Sequence, residues 1–269
     1  MLSKFLYYLT VHLPLRIIEI GINFLSLFKE REHIIKVVHR LFKEKVLIGV
    51  LPDGNLLVYP LDDRKVLSII SEIYNKKIYD VRQVRNFKFV CDVGAHIGLF
   101  TLRMSKQAST SKIIAIEPNP TNYKLLVKNV SINGLVDRVH TLNVAIGEKK
   151  EKALLLLNAV SRGDGSIKRW HNAGAAGALM VHVVPLDEVL SIERSCDLMK
   201  IDVEGMESEV LNGLEKQYVK VNKLVMEIHI PVVNVTRIYE WLRTHGFEIT
   251  KTQKLYDNCS ILEARRLCG

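Results

Sequence analysis

The chain lacks the signatures of several large enzyme classes. No Gly-Lys-Ser/Thr run follows a glycine loop, so a nucleoside triphosphate cradle is excluded, and no G-x-G-x-x-G element marks a dinucleotide site. Only four cysteines occur, Cys91, Cys196, Cys259 and Cys268, and no two form C-x-x-C. A zinc or redox motif of that kind is therefore absent. Cys91 lies in an apolar run, and reduced, structural thiols in an intracellular, cytoplasmic chain are expected. No uninterrupted apolar run reaches the roughly 20 residues of a spanning helix. The apolar stretch from Phe5 to Phe28 is broken by Arg16, Glu19, Pro14 and Gly21, and no small-residue cleavage site follows it. Acids are in deficit, with 29 Asp+Glu against 38 Lys+Arg. The excess is not gathered into one basic run, which favours a solvated basic surface over a dedicated nucleic-acid or membrane face. Internal repeats and low-complexity tracts are absent.

What is present reads as alternating strands and helices. Residues 1–45 have helical spacing (Leu2, Phe5, Leu6, Leu9, Leu13) and form an N-terminal helical segment. It docks on the protein's own core or on a second copy in a homodimer; the alternative is peripheral membrane contact through residues 1–30. Residues 46–86 read as a hairpin about Pro52-Asp53-Gly54-Asn55 and a helix near 63–75, leading into the core. Over 87–269, strands are expected near 88–93, 112–117, 138–144, 197–202 and 222–229. Helices are expected near 98–108, 120–132, 206–217 and 234–245. That alternation implies a doubly wound, mostly parallel α/β sheet, and a C-terminal antiparallel hairpin makes one edge mixed. Between Glu151 and Asp187, two strands flank a polar glycine-bearing stretch that would serve as a substrate lid or an ordinary loop.

The run Asp92-Val93-Gly94-Ala95-His96-Ile97-Gly98 ends the first core strand and opens a helix. About twenty residues on, the next strand ends in Glu117. This layout holds a ribonucleoside: glycines let the backbone approach, and the acid takes the ribose hydroxyls. The acid at Asp92 would repel a diphosphate and suits a cationic ligand. S-adenosylmethionine, with an ammonium, a sulfonium, a ribose and no phosphate, fits that pattern.

In a doubly wound sheet, ligands sit at the carboxyl ends of the strands. After the third strand come Asn143 and Ala145, small enough to receive an adenine edge. After the fourth comes Lys200-Ile201-Asp202-Val203-Glu204-Gly205, and after the fifth Glu227-Ile228-His229. Charges there are costly beside a buried strand without partners or a ligand. His229 beside carboxylates is a plausible general base for methyl transfer to a hydroxyl. The same residues, Asp202, Glu204, Glu227 and His229, would alternatively hold a divalent cation or form an ion-pair network with Lys200.

From Asp92 to Phe247 the chain resembles the FkbM family of S-adenosylmethionine-dependent methyltransferases. The resemblance rests on the glycine run, Glu117-Pro118-Asn119-Pro120, Asn143-Val144-Ala145-Ile146-Gly147, Pro185-Leu186-Asp187, Lys200-Ile201-Asp202-Val203-Glu204-Gly205 with Glu207, and His245-Gly246-Phe247. It implies a class I, Rossmann-like methyltransferase domain and O-methylation of a small molecule or glycan. A divalent metal is possible but not expected. By position, Asp92, Gly94 and Gly98 would lie against the methionine part, Glu117 on the ribose and Ala145 near adenine, with Ala95, His96, Pro118 and Asn143 also among the cofactor-binding residues. Lys200, Asp202, Glu204 and His229 would carry catalysis, Asp202 also touching the cofactor. The family commonly has Asn where this chain has His96. Two rival functions are a nucleic-acid methyltransferase and a non-catalytic cofactor-binding protein. The first is disfavoured because Asp202-Val203-Glu204-Gly205 replaces an Asp/Asn-Pro-Pro-aromatic element and no Pro-Cys nucleophile occurs.

Overall fold

The computed structural model describes residues 46–79 apart from 62 and 64, 86–158 apart from 110, and 175–267 apart from 194 and 231. The expected N-terminal helices, the glycine loop at 159–174 and Cys268 lie outside the described residues. No helix among those described is long and apolar enough to cross a membrane. Cys91, Cys196 and Cys259 are buried free thiols.

Strands β1 (Val46–Val50) and β2 (Leu56–Pro60) form the expected hairpin, with Gly54 at φ +86 in its turn. The hairpin is not a free-standing unit. Its apolar residues share one hydrophobic cluster with the main domain. Helix α1 (Lys65–Ile70) continues as a π-helical turn, Ser71–Lys76.

The main domain follows as β3 (Phe89–Val93), α2 (Leu99–Gln107), β4 (Lys112–Ile116), α3 (Pro120–Ile132) and β5 (Val139–Leu142). Then come β6 (Ala145–Ile146), β7 (Glu151–Asn158), β8 (Ala175–Val184), α4 (Leu186–Val189), β9 (Leu198–Ile201) and α5 (Glu207–Asn212). The chain ends with β10 (Lys223–His229), α6 (Val235–Thr244), β11 (Phe247–Tyr256) and β12 (Cys259–Arg266).

Seven strands form the central sheet in the order β11-β12-β10-β9-β3-β4-β5. The pairs from β10 through β9, β3 and β4 to β5 are parallel, and β12 runs antiparallel between β10 and β11. The strand β3 is buried at every position, as a parallel strand covered on both faces must be. Two apolar clusters fill the space on the two faces. Asn119 caps α3 by accepting the Thr121 N–H at 2.9 Å, with Pro120 at the first helical position. Asn129 of α3 and Asn133 at its C-terminal cap bond the β2 backbone at Val58 and Leu56, which seats the hairpin on the domain.

Two expectations are corrected. The strand expected over 138–144 is cut at Leu142, because the Asn143 side chain turns to donate to the Glu117 and Pro118 carbonyls (2.8 and 3.1 Å). The next residues leave the sheet: β6 joins β8 and β7 in a separate three-stranded sheet. The helix expected over 206–217 stops at Asn212. Asp187 accepts the Lys216 and Gln217 N–H groups at 3.0 and 2.8 Å, and these hold the following segment in a short 3₁₀ turn, Gln217–Lys220.

Candidate active site

Strand β3 lies between β4 and β9, where the order of strands reverses, and the cleft opens over the carboxyl ends of these strands. Its volume is about 470 Å³, within the range of cofactor sites. The glycine loop folds over β4: the Gly94 and Ala95 N–H groups both donate to the Ile116 carbonyl, at 2.9 and 2.8 Å. Gly94 has φ +78, and a Cβ there would stand 1.8 Å from the Asp202 carbonyl oxygen. That backbone approach demands glycine. Gly94→Ala is expected to lower stability by at least about 2 kcal/mol, read as a fall in melting temperature, since β9 would have to move. An unchanged melting temperature would show that the two backbones can separate.

Glu117 sits at the tip of β4, buried, with Oε2 accepting the His96 N–H at 2.8 Å and Oε1 the Asn119 N–H at 2.9 Å. Burial pushes its carboxyl up to about 7, against the pull of the Asn119 and His96 N–H groups. Pro118, Val144, Ala145 and Ile146 continue the wall.

A charged network closes the other end. Lys200 is almost wholly buried and donates to the Gly94 carbonyl at 2.7 Å, with Asp92 and Asp202 oxygens each 3.3 Å from Nζ. Burial opposes its charge, but Asp202, Asp92 and Glu227 overcome it and raise its pKa. Burial likewise opposes ionisation of Asp202, and Lys200 overrides it, so Asp202 is lowered. Glu227 is raised, by burial and by the Asp202 charge. His229 Nδ1 stands 2.7 Å from the fully buried Glu207 Oε1, and Nε2 is 3.4 Å from Glu204 Oε2. Burial works against the imidazolium, but Glu207, Glu204 and Asp202 raise it to about 10. The resting ring is therefore charged at neutral pH, so the expected base has a proton to lose before it can accept one.

The other site expectations divide. Gly94, Ala95, His96, Glu117, Pro118, Ala145, Lys200, Asp202, Glu204, Glu227 and His229 all line the cleft. Asp92 and Gly98 are corrected: both are buried behind its wall. Asn143 is exposed and beside the cleft without lining it. Asp92 is fully buried and accepts from Thr101 Oγ1 at 2.6 Å while pairing with Lys200. Gly98 starts α2 at φ +95, where a Cβ would strike Leu126. Asn143 aims at the Glu117 and Pro118 carbonyls. Two groups of ligand atoms, Asp202-Glu204-His229 and Glu227-His229-Cys259, are close enough to share a cation. Lys200 and His229 already supply positive charge to these acids, which matches the ion-pair alternative.

Several lining residues were absent from the sequence reading. Tyr79 donates to Glu227 Oε2 at 2.6 Å and covers Lys200, whose Nζ is 5.7 Å from the ring centre. Lys65, Ser68 and Glu72 enter from α1 and its π-helical turn, and Tyr256, Asn258 and Cys259 from the β11–β12 turn. No spacing rule links these segments to the motifs, because they meet only through the fold.

Residues 92–249 match the pattern described as Methyltransferase FkbM domain. The chain belongs to this family. As an S-adenosylmethionine-dependent FkbM methyltransferase it has relatives of moderate similarity. A Sordaria araneosa methyltransferase is 29% identical over 245 aligned positions, covering 78% of this chain and 94% of that protein. A hexuronic acid methyltransferase from Haloferax volcanii is 26% identical, covering 61% of this chain and 65% of that protein. Among solved structures, a Pyrococcus horikoshii protein described as a candidate transferase superposes with TM-score 0.50 at 14% identity, covering 82% of this chain and 71% of that one, which speaks to fold alone. The FkbM methyltransferase cleft fits its cofactor on its own terms. It offers a buried carboxylate at Glu117, the small side chain of Ala145 on the same wall, and at His96 two buried ring nitrogens with no hydrogen-bond partner.

Proposed function

We propose that this FkbM methyltransferase methylates a hydroxyl group on a small-molecule or glycan acceptor. The observation that supports it most is the His229–Glu207 pair at the end of β10, with Nε2 turned toward the cleft wall and Glu204. When bound, S-adenosylmethionine supplies a methyl group on a sulfonium, and an acceptor oxygen must shed one proton as it takes that methyl. Glu207 fixes the ring through Nδ1. Glu204, about one-fifth exposed and 3.4 Å from Nε2, gives the resting proton of His229 a way to solvent. The neutral ring then takes the hydroxyl proton. Lys200, held by Asp92 and Asp202, fixes the Gly94 carbonyl and so the loop facing the cofactor. Asp202 and Glu227 supply polar contacts for a hydroxylated acceptor. The relative that acts on a hexuronic acid is consistent with a sugar-like acceptor.

Carboxylates at this end of the cleft disfavour a polyphosphate backbone, so nucleic acid is the lesser reading. The test is methyl transfer from labelled S-adenosylmethionine to a panel of hydroxylated glycans and small molecules, with RNA and DNA as parallel acceptors. A base-stable methyl ether is the expected product. Label appearing only in nucleic acid would overturn the proposal. Because Lys200 and His229 balance the acids, dialysis against EDTA is expected to leave turnover unchanged. Activity lost on chelation and restored by Mg²⁺ or Mn²⁺ would show that a divalent ion is required.

A further inference from the structure

Cys259 lines the cleft, and methyl transfer gives it no task. It is the direct cross-strand partner of His229, β12 against β10, and Glu227 lies two residues before His229 on the same face. Two paired strands therefore hold a thiol, an imidazole and a carboxylate on one rigid surface. Cys259 Sγ is 3.1 Å from Glu227 Oε1, and His229 Nε2 is 4.0 Å from the same oxygen. One ligand atom from each residue lies within 4.8 Å of the others. Tetrahedral zinc, with bonds of about 2.0 to 2.3 Å, needs its ligand atoms roughly 3 to 4 Å apart. Small side-chain shifts close such a site.

Two of the three ligands are braced from behind, as metal ligands are. Glu207 Oε1 stands 2.7 Å from His229 Nδ1, which turns Nε2 toward Glu204 and Glu227. Tyr79 donates to Glu227 Oε2 at 2.6 Å, so Oε1 is the oxygen that faces Cys259 and His229. All three residues line the cleft, which gives an ion its way in and a fourth position open to water. The neighbouring set Asp202, Glu204 and His229 offers only oxygen and nitrogen. There Lys200, 3.3 Å from Asp202 Oδ2, already stands as the cation. The set with the thiol selects a soft ion over Mg²⁺.

We propose that Glu227, His229 and Cys259 form a site for a thiophilic divalent cation such as Zn²⁺, and that its occupancy shuts off methyl transfer by taking His229 Nε2. Binding releases the thiol proton of Cys259 and the resting proton of His229 to solvent. The site stands apart from the reaction; only its effect on turnover rests on His229 being the base. The metal-free chain keeps its ion-pair network and its activity. The probe is Co²⁺, added to the full chain after EDTA treatment and followed by absorbance. The wild type is expected to bind a single ion with a thiolate-to-cobalt charge-transfer band. Zn²⁺ should displace that ion, and excess Mg²⁺ should not. Cys259→Ser should lose the band and Cys268→Ser should keep it, while Cys91 and Cys196 are packed in the apolar core. His229→Asn, which keeps a donor for Glu207, is expected to weaken cobalt binding by more than the roughly tenfold that losing an outer partner costs. That variant decides the matter should Cys259→Ser fold poorly. Zn²⁺ should lower wild-type turnover at least about tenfold, with recovery on EDTA. Cys259→Ser should escape most of this loss relative to its own metal-free rate. A wild type without the band, a band that survives in Cys259→Ser, or displacement by Mg²⁺ overturns the site. Cobalt bound as expected but turnover indifferent to Zn²⁺ overturns the shut-off and the base assignment of His229 together.

Discussion

Glu117→Ala is expected to weaken S-adenosylhomocysteine binding about 100-fold, on the order of 3 kcal/mol. The carboxylate is buried and pinned by the His96 and Asn119 N–H groups, leaving its other lone pairs for the ribose hydroxyls. On the proposed ribose role, removing it would delete the charge-assisted hydrogen bonds to the sugar, and it would free the loop that carries His96. Only the ionised acid accepts both hydroxyls, and burial has raised its pKa to about 7. Affinity should therefore increase as pH rises from 6 to 8, and this dependence should vanish in Glu117→Gln. Stability runs the other way. The folded pKa lies above the ordinary 4.5, so the favourable contribution of the neutral acid is complete below that value and is lost as pH rises through about 7. Glu117→Gln should then hold its melting temperature better than the wild type across this window while binding more weakly. Calorimetry at three pH values checks both; wild-type affinity in the alanine variant would remove Glu117 from the ribose.

His229→Asn is expected to keep cofactor affinity and to lower turnover by about 10²- to 10⁴-fold. Asparagine keeps a donor for Glu207, whereas alanine would leave that buried carboxylate without its cationic partner, with only the Gly205 N–H still donating to Oε1 at 3.0 Å, at a cost of about 3 kcal/mol. With the resting imidazolium near 10, kcat/KM in the wild type should climb about tenfold per pH unit through neutrality and flatten only near pH 10. Glu207→Gln removes the acid that raises this value, and its profile should flatten at lower pH. The folded pKa of His229 is raised from 6.5, so the stability it contributes is complete below pH 6.5 and is lost as pH rises through 10. Undiminished turnover in His229→Asn would end the general-base assignment.

The polar end of the cleft shows how far reading along the chain reaches. Lys200, Asp202 and Glu204 were visible because three charges beside an apolar strand are costly without partners. Their partners were not visible. Tyr79 closes over Lys200 from a segment far upstream, and Cys259 donates to Glu227 from the last strand, at 3.1 Å. Asp92 shows the opposite failure. Its place before the glycine turn suggested a ligand contact, yet the side chain points into the core and serves Lys200. Alternation of faces along a strand leaves open which face meets the ligand until neighbouring strands are placed.

The sequence by itself determined the order of strands and helices, the glycine turn and the acid at the next strand tip. Apolar periodicity and turn chemistry are local properties, and a parallel doubly wound sheet follows from their alternation. Only the tertiary structure decided that β6 leaves the sheet, that α1 and the last turn wall the cleft, and that the His229 ring rests charged. Those outcomes depend on burial and on charges brought together from distant segments, and electrostatic energy inside a protein follows distance in space, which spacing along the chain does not encode.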